Sequence, residues 1–390
     1  MIGRALGAIT LASALMGCGG GGVGAIDSTQ DPTISPVPAG SAEWVWDLPS
    51  HFTEPVVPAD NAMSEAKFQL GRSLFHDTRL SVNGIQSCAS CHVQAKAFTD
   101  GLPVSRGATS EFTHRNAQPL ANTAWQTTYT WASTDLTTLE QQMLIPLFAE
   151  HPIEMGLTPQ NQGAMLARLQ NDPSLVKQFA DAFPTEAAPV NLGNLIKAIA
   201  TFQRGLVSAD SRFDRYMQGK ESLSASETRG KDLFFGTQAK CASCHGGFNL
   251  NQPSQALASP LAAFQNTGLY NIDGLGAFPA PNRGLFETTG KPEDMGKFRI
   301  ASLRNVALTA PYMHDGSLAT LDEVLDVYAA GGRLLTNGPH AGDGRQNPFK
   351  SELVSGFALD AEDKQNLISF LHTLTDHSFV ANPRFGKPTP

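Results

Sequence analysis

Where the hydrophobic pattern is regular, it is helical. From Met63 to Phe75, Ala66, Leu70 and Leu74 recur at helical spacing and predict one amphipathic helix. Leu139 to Phe148 predicts a second, interrupted by Pro146. Asn161 to Leu169 and Ser174 to Phe183 follow as two more. Asn191 is a candidate N-cap for a strong helix with Leu192, Leu195, Ile196, Ile199, Phe202 and Leu206 on one face. Ser224 with Glu227, and Thr320 with Glu323, have capping-box spacing. The first opens a helix through Leu233 and Phe234, the second a helix to about Ala330. Asp360 caps the last predicted helix, which buries Leu367, Phe370, Leu371 and Leu374. No stretch sustains period-two alternation, and 249–292 and 331–349 are rich in Gly and Pro. The expected fold is mainly α with long irregular loops.

Two of these helices lead into the same chemistry. Gly71-Arg-Ser-Leu-Phe75 precedes Cys88-Ala-Ser-Cys91-His92, and Gly230-Lys-Asp-Leu-Phe234 precedes Cys241-Ala-Ser-Cys244-His245. The shared Gly-basic-x-Leu-Phe approach is an internal repeat, and two cytochrome c-like domains, 59–215 and 216–380, account for it most simply. CxxCH is the c-type haem attachment pattern: two thiols add to the porphyrin vinyl groups, and the His becomes an iron ligand. Two CxxC pairs can also form a four-cysteine zinc site. Here the pairs lie far apart and each is followed directly by His, which favours two covalent haems c. The haems then replace part of the hydrophobic core.

Composition narrows the setting. The 390 residues are 41% hydrophobic and 16% charged, as in a globular chain with a real core. A net charge of −8 disfavours nucleic acid as partner. The fifth cysteine, Cys18, ends a segment with a basic start at Arg4, an apolar stretch from Ala5 to Met16, and Leu15-Met-Gly-Cys18, which resembles a bacterial lipobox. Residues 1–18 read as a lipoprotein signal; an ordinary signal peptide with an incidental Cys is the alternative. Residues 19–58 read as a flexible tether, with Trp44 and Trp46 available to dock on the body. A periplasm-facing, lipid-anchored protein agrees with haem attachment outside the cytoplasm.

The two motifs differ downstream. Between Val93 and Arg115 there is no Met, and one His, His114, so the first haem is expected to keep an open face for a small molecule such as peroxide. Cleaving an O–O bond needs a carboxylate or His to move a proton. Glu140, Gln141, Gln142, Glu150, His151 and Glu154 are all candidates for the pocket, and residue type alone does not choose. In the second half Tyr328 shares a helix face with Leu321, Val324 and Leu325 and points inward; Met313 and Met295 are rival ligands for the second iron.

Several ordered stretches resemble the bacterial di-haem cytochrome c peroxidase and MauG family. They are Ser87–His92, Ala97-Phe-Thr-Asp-Gly101, Arg115-Asn116, Trp131, Leu139-Glu-Gln-Gln142, Pro146, Pro152-Ile-Glu-Met-Gly156, the second CxxCH, Ser302-Leu-Arg-Asn305 and Leu308-Thr-Ala-Pro-Tyr-Met-His-Asp-Gly316. The likeness spans roughly Phe68 to Asp376. It implies a peroxidatic N-terminal haem and an electron-transfer C-terminal haem. It further implies Trp131 as relay between them, Glu154 as distal acid/base, and Gln142 as distal glutamine with Gln141 a close rival. A calcium ion is implied at Asn116, Thr309 and Pro311, the last two through backbone carbonyls. Tyr328 stands where the peroxidases carry a Met ligand, an exchange that marks the MauG branch. Ala108 stands where many of them place a His that blocks the first iron until partial reduction; His114 is the alternative switch ligand. The combination implies a peroxide-dependent oxidase that forms a high-valent di-haem state and oxidises a side chain of a partner protein by long-range electron transfer. The segment 142–154 and the lipobox look most like the methanobactin-associated di-haem enzymes (MbnH), whose relatives oxidise a Trp. The alternative is a cytochrome c peroxidase that takes electrons from a small cytochrome c or cupredoxin.

Overall fold

Local capping chemistry starts most of the helices where the pattern expects them. The computed structural model describes residues 44–252 and 260–389. The first half contains α1 (Glu65–Phe75), α2 (Cys88–Cys91), α3 (Leu139–Phe148), α4 (Gln162–Gln170), α5 (Pro173–Ala182) and α6 (Leu192–Arg204). The second contains α7 (Arg212–Met217), α8 (Ala225–Phe235), α9 (Phe286–Thr289), α10 (Leu321–Ala329), α11 (Ala361–His372) and α12 (His377–Val380). The Asn191 side chain accepts from Asn194 N at 2.9 Å, and Asp360 from Asp363 N at 2.8 Å. Ser224 and Glu227 form a reciprocal box. Thr320 makes half of one: it accepts from Glu323 N, but the Glu323 carboxylate takes Ala319 N. Pro146 does not interrupt α3. It sits in the last turns, where the buried Met143 and Leu147 hold the helix despite the missing N–H.

The repeated glycine is explained by packing. A Cβ on Gly71 would lie 1.9 Å from the Ala198 carbonyl oxygen of α6, and one on Gly230 would lie 1.9 Å from the Asn366 carbonyl oxygen of α11. In both halves, then, the helix leading to CxxCH crosses a second long helix at backbone contact, which only Gly permits. A phenylalanine packs, tilted, beyond each crossing. Phe75 meets Phe202 at 5.0 Å and Phe234 meets Phe370 at 5.2 Å between ring centroids. These pairs nucleate two separate apolar clusters. A third cluster gathers Phe298, Leu318 and Val327 with Trp131.

Strands are minimal: β1 (Phe264–Gln265) pairs antiparallel with β2 (Phe298–Arg299), and β3 (Leu334–Leu335) with β4 (Gly342–Asp343). The chain end returns to the first cluster through Phe379 and Phe385. The expected division at 215/216 falls inside α7, which Ser211 and Asp214 cap. Residues 44–58 are not tether. Trp44 packs on Phe68 at 5.2 Å, and Phe52 is buried, because these aromatic rings have an apolar surface to cover. The lipobox with Cys18 lies outside the described residues, among which no helix is long and apolar enough to cross a membrane.

Candidate functional site

Each CxxCH closes a tight turn, and a hydrogen bond orients its histidine. Cys88–Cys91 is a single helical turn boxed by Ser87 and Ser90; Cys241–Ser243 is a 3₁₀ turn. All four thiols are free. Cys88 packs on the first cluster and Cys241 on the second. Beyond each His the chain doubles back through a bridge, Val93 with Thr99 and Gly246 with Gln252. This leaves Phe98 and Leu250 left-handed, at φ 65° and 52°. Their carbonyls meet the histidine rings: His92 Nδ1 to Phe98 O at 2.7 Å, and His245 Nδ1 to Leu250 O at 3.0 Å. A carbonyl there selects the tautomer that donates from Nδ1 and presents a bare Nε2 to a metal. Burial pushes both imidazoles down, which favours the neutral form that ligates. Paired thiols beside an oriented, neutral imidazole fit one c-type haem at each motif.

The surroundings then diverge. A cavity of about 420 Å³ opens beside Cys88, Cys91 and His92, within the range of small-molecule sites. Glu154 and Gln142 line it. Burial alone pushes the Glu154 carboxyl up to about 7, so it can hold or release a proton near neutrality. Gln141 is occupied elsewhere: its side chain accepts from Thr137 N at 3.0 Å and Thr138 N at 3.2 Å in the cap of α3. Glu140 pairs with Arg204 at 2.8 Å and accepts from Asn61 at 2.7 Å. Glu150 is exposed, and His151 and His114 are exposed residues on the cavity wall.

Ala108 is buried, with both backbone groups engaged. Its N–H donates to Glu154 O at 2.7 Å and its carbonyl accepts from Asn83. Next to it, a Cβ on Gly107 would lie 1.8 Å from Ile153 O, and Ile153 N donates to the Glu111 carboxylate at 2.9 Å. The loop after the first motif is thus locked to the loop that carries Glu154.

Trp131 lines the same cavity and donates from Nε1 to Asn116 O at 2.8 Å. It also joins the third cluster with Val324 and Val327 of α10. That helix carries Tyr328, as the pattern expects. Burial and the adjacent Cys244 and Cys241 thiols push the Tyr328 phenol well above its ordinary range. Met295 and Met313 pack in the third cluster with Trp131.

Asn116 is buried and donates from Nδ2 to Leu102 O at 2.7 Å, while its N–H donates to His314 O at 2.8 Å. It therefore stands beside the 309–314 loop, and among the described residues none donates to the Thr309 or Pro311 carbonyl. These oxygens fit the hard-cation chemistry of calcium. No cluster of three or more His, Cys, Asp or Glu side chains suited to a metal occurs among the described residues.

Two features carry no sequence signal. Arg299 lies in the two-residue β2, buried, and donates from Nε to Thr130 O at 2.9 Å and from Nη2 to Gln118 Oε1. Burial pushes its guanidinium down to about 10; Thr130 and Gln118 both line the cavity, so an acidic group of a cofactor there would meet this cation. Asp214 is held by a bidentate pair with Arg304 at 2.8 and 2.9 Å and by His51 at 3.1 Å.

Residues 65–222 match the family model described as di-haem cytochrome c peroxidase. The chain is 36% identical over 336 residues to cytochrome-c peroxidase IdrP1 of Pseudomonas sp. (strain SCT), covering 82% of this chain and 83% of that protein. It is 33% identical over 318 residues to methylamine utilization protein MauG of Methylorubrum extorquens, covering 81% and 80%. A solved MauG-like protein associated with microbial copper homeostasis superposes with a TM-score of 0.86 at 54% identity, covering 88% of this chain and 99% of that one. The diheme peroxidase BthA from Burkholderia thailandensis, at 22% identity and a TM-score of 0.62, shares the fold. This chain belongs to the di-haem cytochrome c peroxidase/MauG family, as a peroxide-using oxidoreductase with two c-type haems.

Proposed function

We propose that this protein is a MauG-like oxidase that reacts with hydrogen peroxide without prior reduction and oxidises a tryptophan of a partner protein by long-range electron transfer. The observation that carries this reading is Tyr328, which α10 places near the second motif, close enough for Cys241 and Cys244 to influence its phenol. A phenolate oxygen favours higher iron oxidation states than a thioether does. Cys88, Cys91 and His92 would hold one haem, and Cys241, Cys244, His245 and Tyr328 the other; the haems would supply the electron-accepting chemistry. Glu154 takes a proton from one peroxide oxygen and returns it to the other as water leaves. Gln142 holds the peroxide by its amide. Trp131, spanning the cavity and the cluster of α10, passes an electron between the two centres. Two electrons and two protons from the partner balance the reduction of one peroxide to two waters.

The likeness to a MauG-like protein associated with copper homeostasis supports the narrower branch of methanobactin-associated enzymes. Calcium at Asn116, Thr309 and Pro311 would brace the Trp131 end of the relay through Asn116. A lipid on Cys18 would hold the enzyme on the periplasmic side. The second reading, a cytochrome c peroxidase with a small redox donor, draws support from relatives that bear that name. Adding peroxide to the diferric holoprotein separates the two. The proposal expects immediate Soret and near-infrared changes. Silence until partial reduction, followed by fast turnover on reduced cytochrome c, would establish the second reading.

A further inference from the structure

The first described residues lay a band of aromatic rings over the second haem loop. Trp44 meets Trp46 at 5.6 Å, Trp46 meets Trp125 at 6.3 Å, and Trp125 meets Phe248 at 5.5 Å between ring centroids. Phe248 follows His245 in the loop whose Leu250 carbonyl orients that histidine. Trp125 sits in the turn whose Thr123 and Gln126 line the cavity beside His92. The Trp125 indole therefore stands between Phe248 of the second haem loop and the outer rings.

The band is fixed in place. Trp125 Nε1 donates to Thr53 O at 2.7 Å, and His51 is bound to the buried Asp214. Arg304 holds that same Asp214 and donates from Nε to Phe248 O at 3.1 Å. Indole is the most easily oxidised of these rings, and contact between rings lets an electron pass. Charge decides where an oxidised ring is tolerated. The Arg384 guanidinium sits 5.4 Å over Trp44, and that of Arg304 sits 4.7 Å over Phe52. A cation over a ring opposes loss of an electron from it. Among the described residues no cation stands over Trp46, and the exposed Asp47 adjoins it. Trp46 is half-buried, so it also reaches solvent.

We propose that Trp125 and Trp46 form an exit route by which the oxidising equivalents leave the haem pair, emerging at Trp46 rather than at Trp44. The inference rests on the peroxide-driven oxidase reading above. An electron moves from an aromatic side chain of the partner to Trp46, from Trp46 to Trp125, and from Trp125 to the haem pair. Two such transfers, with two protons released by the partner, balance the reduction of one peroxide to two waters. The hydrogen bond to Thr53 keeps the Trp125 N–H proton in place, so that ring passes charge on instead of losing a proton to water.

The test uses diferric holoprotein and hydrogen peroxide with no partner present. Trp46 is then the electron source, and the balance is one tryptophan plus one peroxide giving one oxygenated tryptophan plus water. Peptide mapping by mass spectrometry reads the added oxygen at each site, and the Soret band is followed in the same samples. Oxygenation at Trp46 should exceed that at Trp44 by about two- to fivefold, the size of a cation–ring effect at an exposed site. Trp125→Phe, which keeps a ring in the band, should bring Trp46 to background while the Soret response persists. Arg384→Gln, a change at a half-exposed side chain, should raise oxygenation of Trp44 severalfold. Equal oxygenation of Trp46 with and without Trp125, or a Soret response that leaves Trp46 unmodified, overturns the route alone. A Soret band that ignores peroxide overturns the oxidase reading and the route with it.

Discussion

Glu154→Gln keeps the shape of the cavity wall and removes its proton carrier. Burial raises this carboxyl from its ordinary 4.5 to about 7. About one tenth of the molecules then carry the carboxylate at pH 6 and about nine tenths at pH 8. The carboxylate is the form that accepts the peroxide proton, so the second-order rate with peroxide should rise about tenfold across that interval. In the variant the rate should fall by about 10²–10⁴ and the inflection near neutrality should vanish. Stability should move the opposite way. A carboxyl raised in the folded state contributes stability that is fully present below its ordinary value and is lost as pH rises through about 7. The loss amounts to about 3 kcal/mol by pH 8 and to under about 1 kcal/mol at pH 5. Gln carries no such charge, so the variant should gain on the parent by about 2–3 kcal/mol between pH 5 and pH 8. Stopped-flow spectroscopy at the Soret band reads the rate, and thermal unfolding at the two pH values reads the gain. A variant that keeps both the parental rate and its inflection would refute Glu154 as the proton carrier. A stability gap that does not widen with pH would refute its burial as the cause of the shift.

Other changes probe the frame and the second centre. Tyr328→Met should raise the potential of one haem by on the order of 100 mV in a spectroelectrochemical titration; an unchanged potential means Tyr328 is not its ligand. Gly71→Ala puts a methyl 1.9 Å from the Ala198 carbonyl oxygen and should cost about 3 kcal/mol in chemical unfolding, as should Gly230→Ala at Asn366. A loss below about 1 kcal/mol would show that the crossing helices can slide apart. Burial alone would raise the Asp214 carboxyl, but the Arg304 pair outweighs it and holds the group below the ordinary range. That pair thus stabilises above the ordinary carboxylate range and is lost as pH falls through the depressed value. Arg304→Met should cost about 3–5 kcal/mol at neutral pH, with acid unfolding starting at higher pH than in the parent.

What the sequence reveals here is mostly local. Asn191, Ser224 and Asp360 announce their helices because a cap joins residues three apart. The two CxxCH motifs are legible because covalent chemistry demands adjacent residues. The choice between Gln141 and Gln142 was also within reach: Thr138 with Gln141 has capping-box spacing, and the structure uses Gln141 for that box. What stayed hidden depends on distant partners. Gly71 and Gly230 stand out as a repeat, but their cause, a carbonyl on a helix far along the chain, appears only in the packing. Residues 44–58 have the composition of a linker; the docking of Trp44 was open to expectation, but Phe52 and its surface on Phe248 were not. Arg299 is isolated in sequence and matters only because it holds Thr130 and Gln118, which line the cavity.

The two pentapeptides are identical and their histidines are held by the same device, so any difference between the haems must come from elsewhere in the chain. On the first side it comes from two interlocked loops. A blocking ligand that swings on and off the iron requires the loop after the motif to move. Moving this one would break the Ala108–Glu154 and Asn83–Ala108 hydrogen bonds, release Ile153 N from Glu111, and separate Gly107 from the Ile153 carbonyl it abuts. Leaving the Ala108 backbone groups unpaired would cost about 1–3 kcal/mol each, which disfavours the displaced loop; the exposed Ile153–Glu111 bond adds less. The same bonds that would oppose a reductive switch also tie the Glu154 backbone to the loop after the first motif. On the proposed reading, readiness toward peroxide in the diferric state and placement of Glu154 then depend on the same loop contacts. Asn83→Ala tests that link: it should loosen both loops together, slowing the peroxide reaction about as much as it increases hydrogen exchange at Ala108 and Ile153. Exchange that rises with no loss of rate would separate the two.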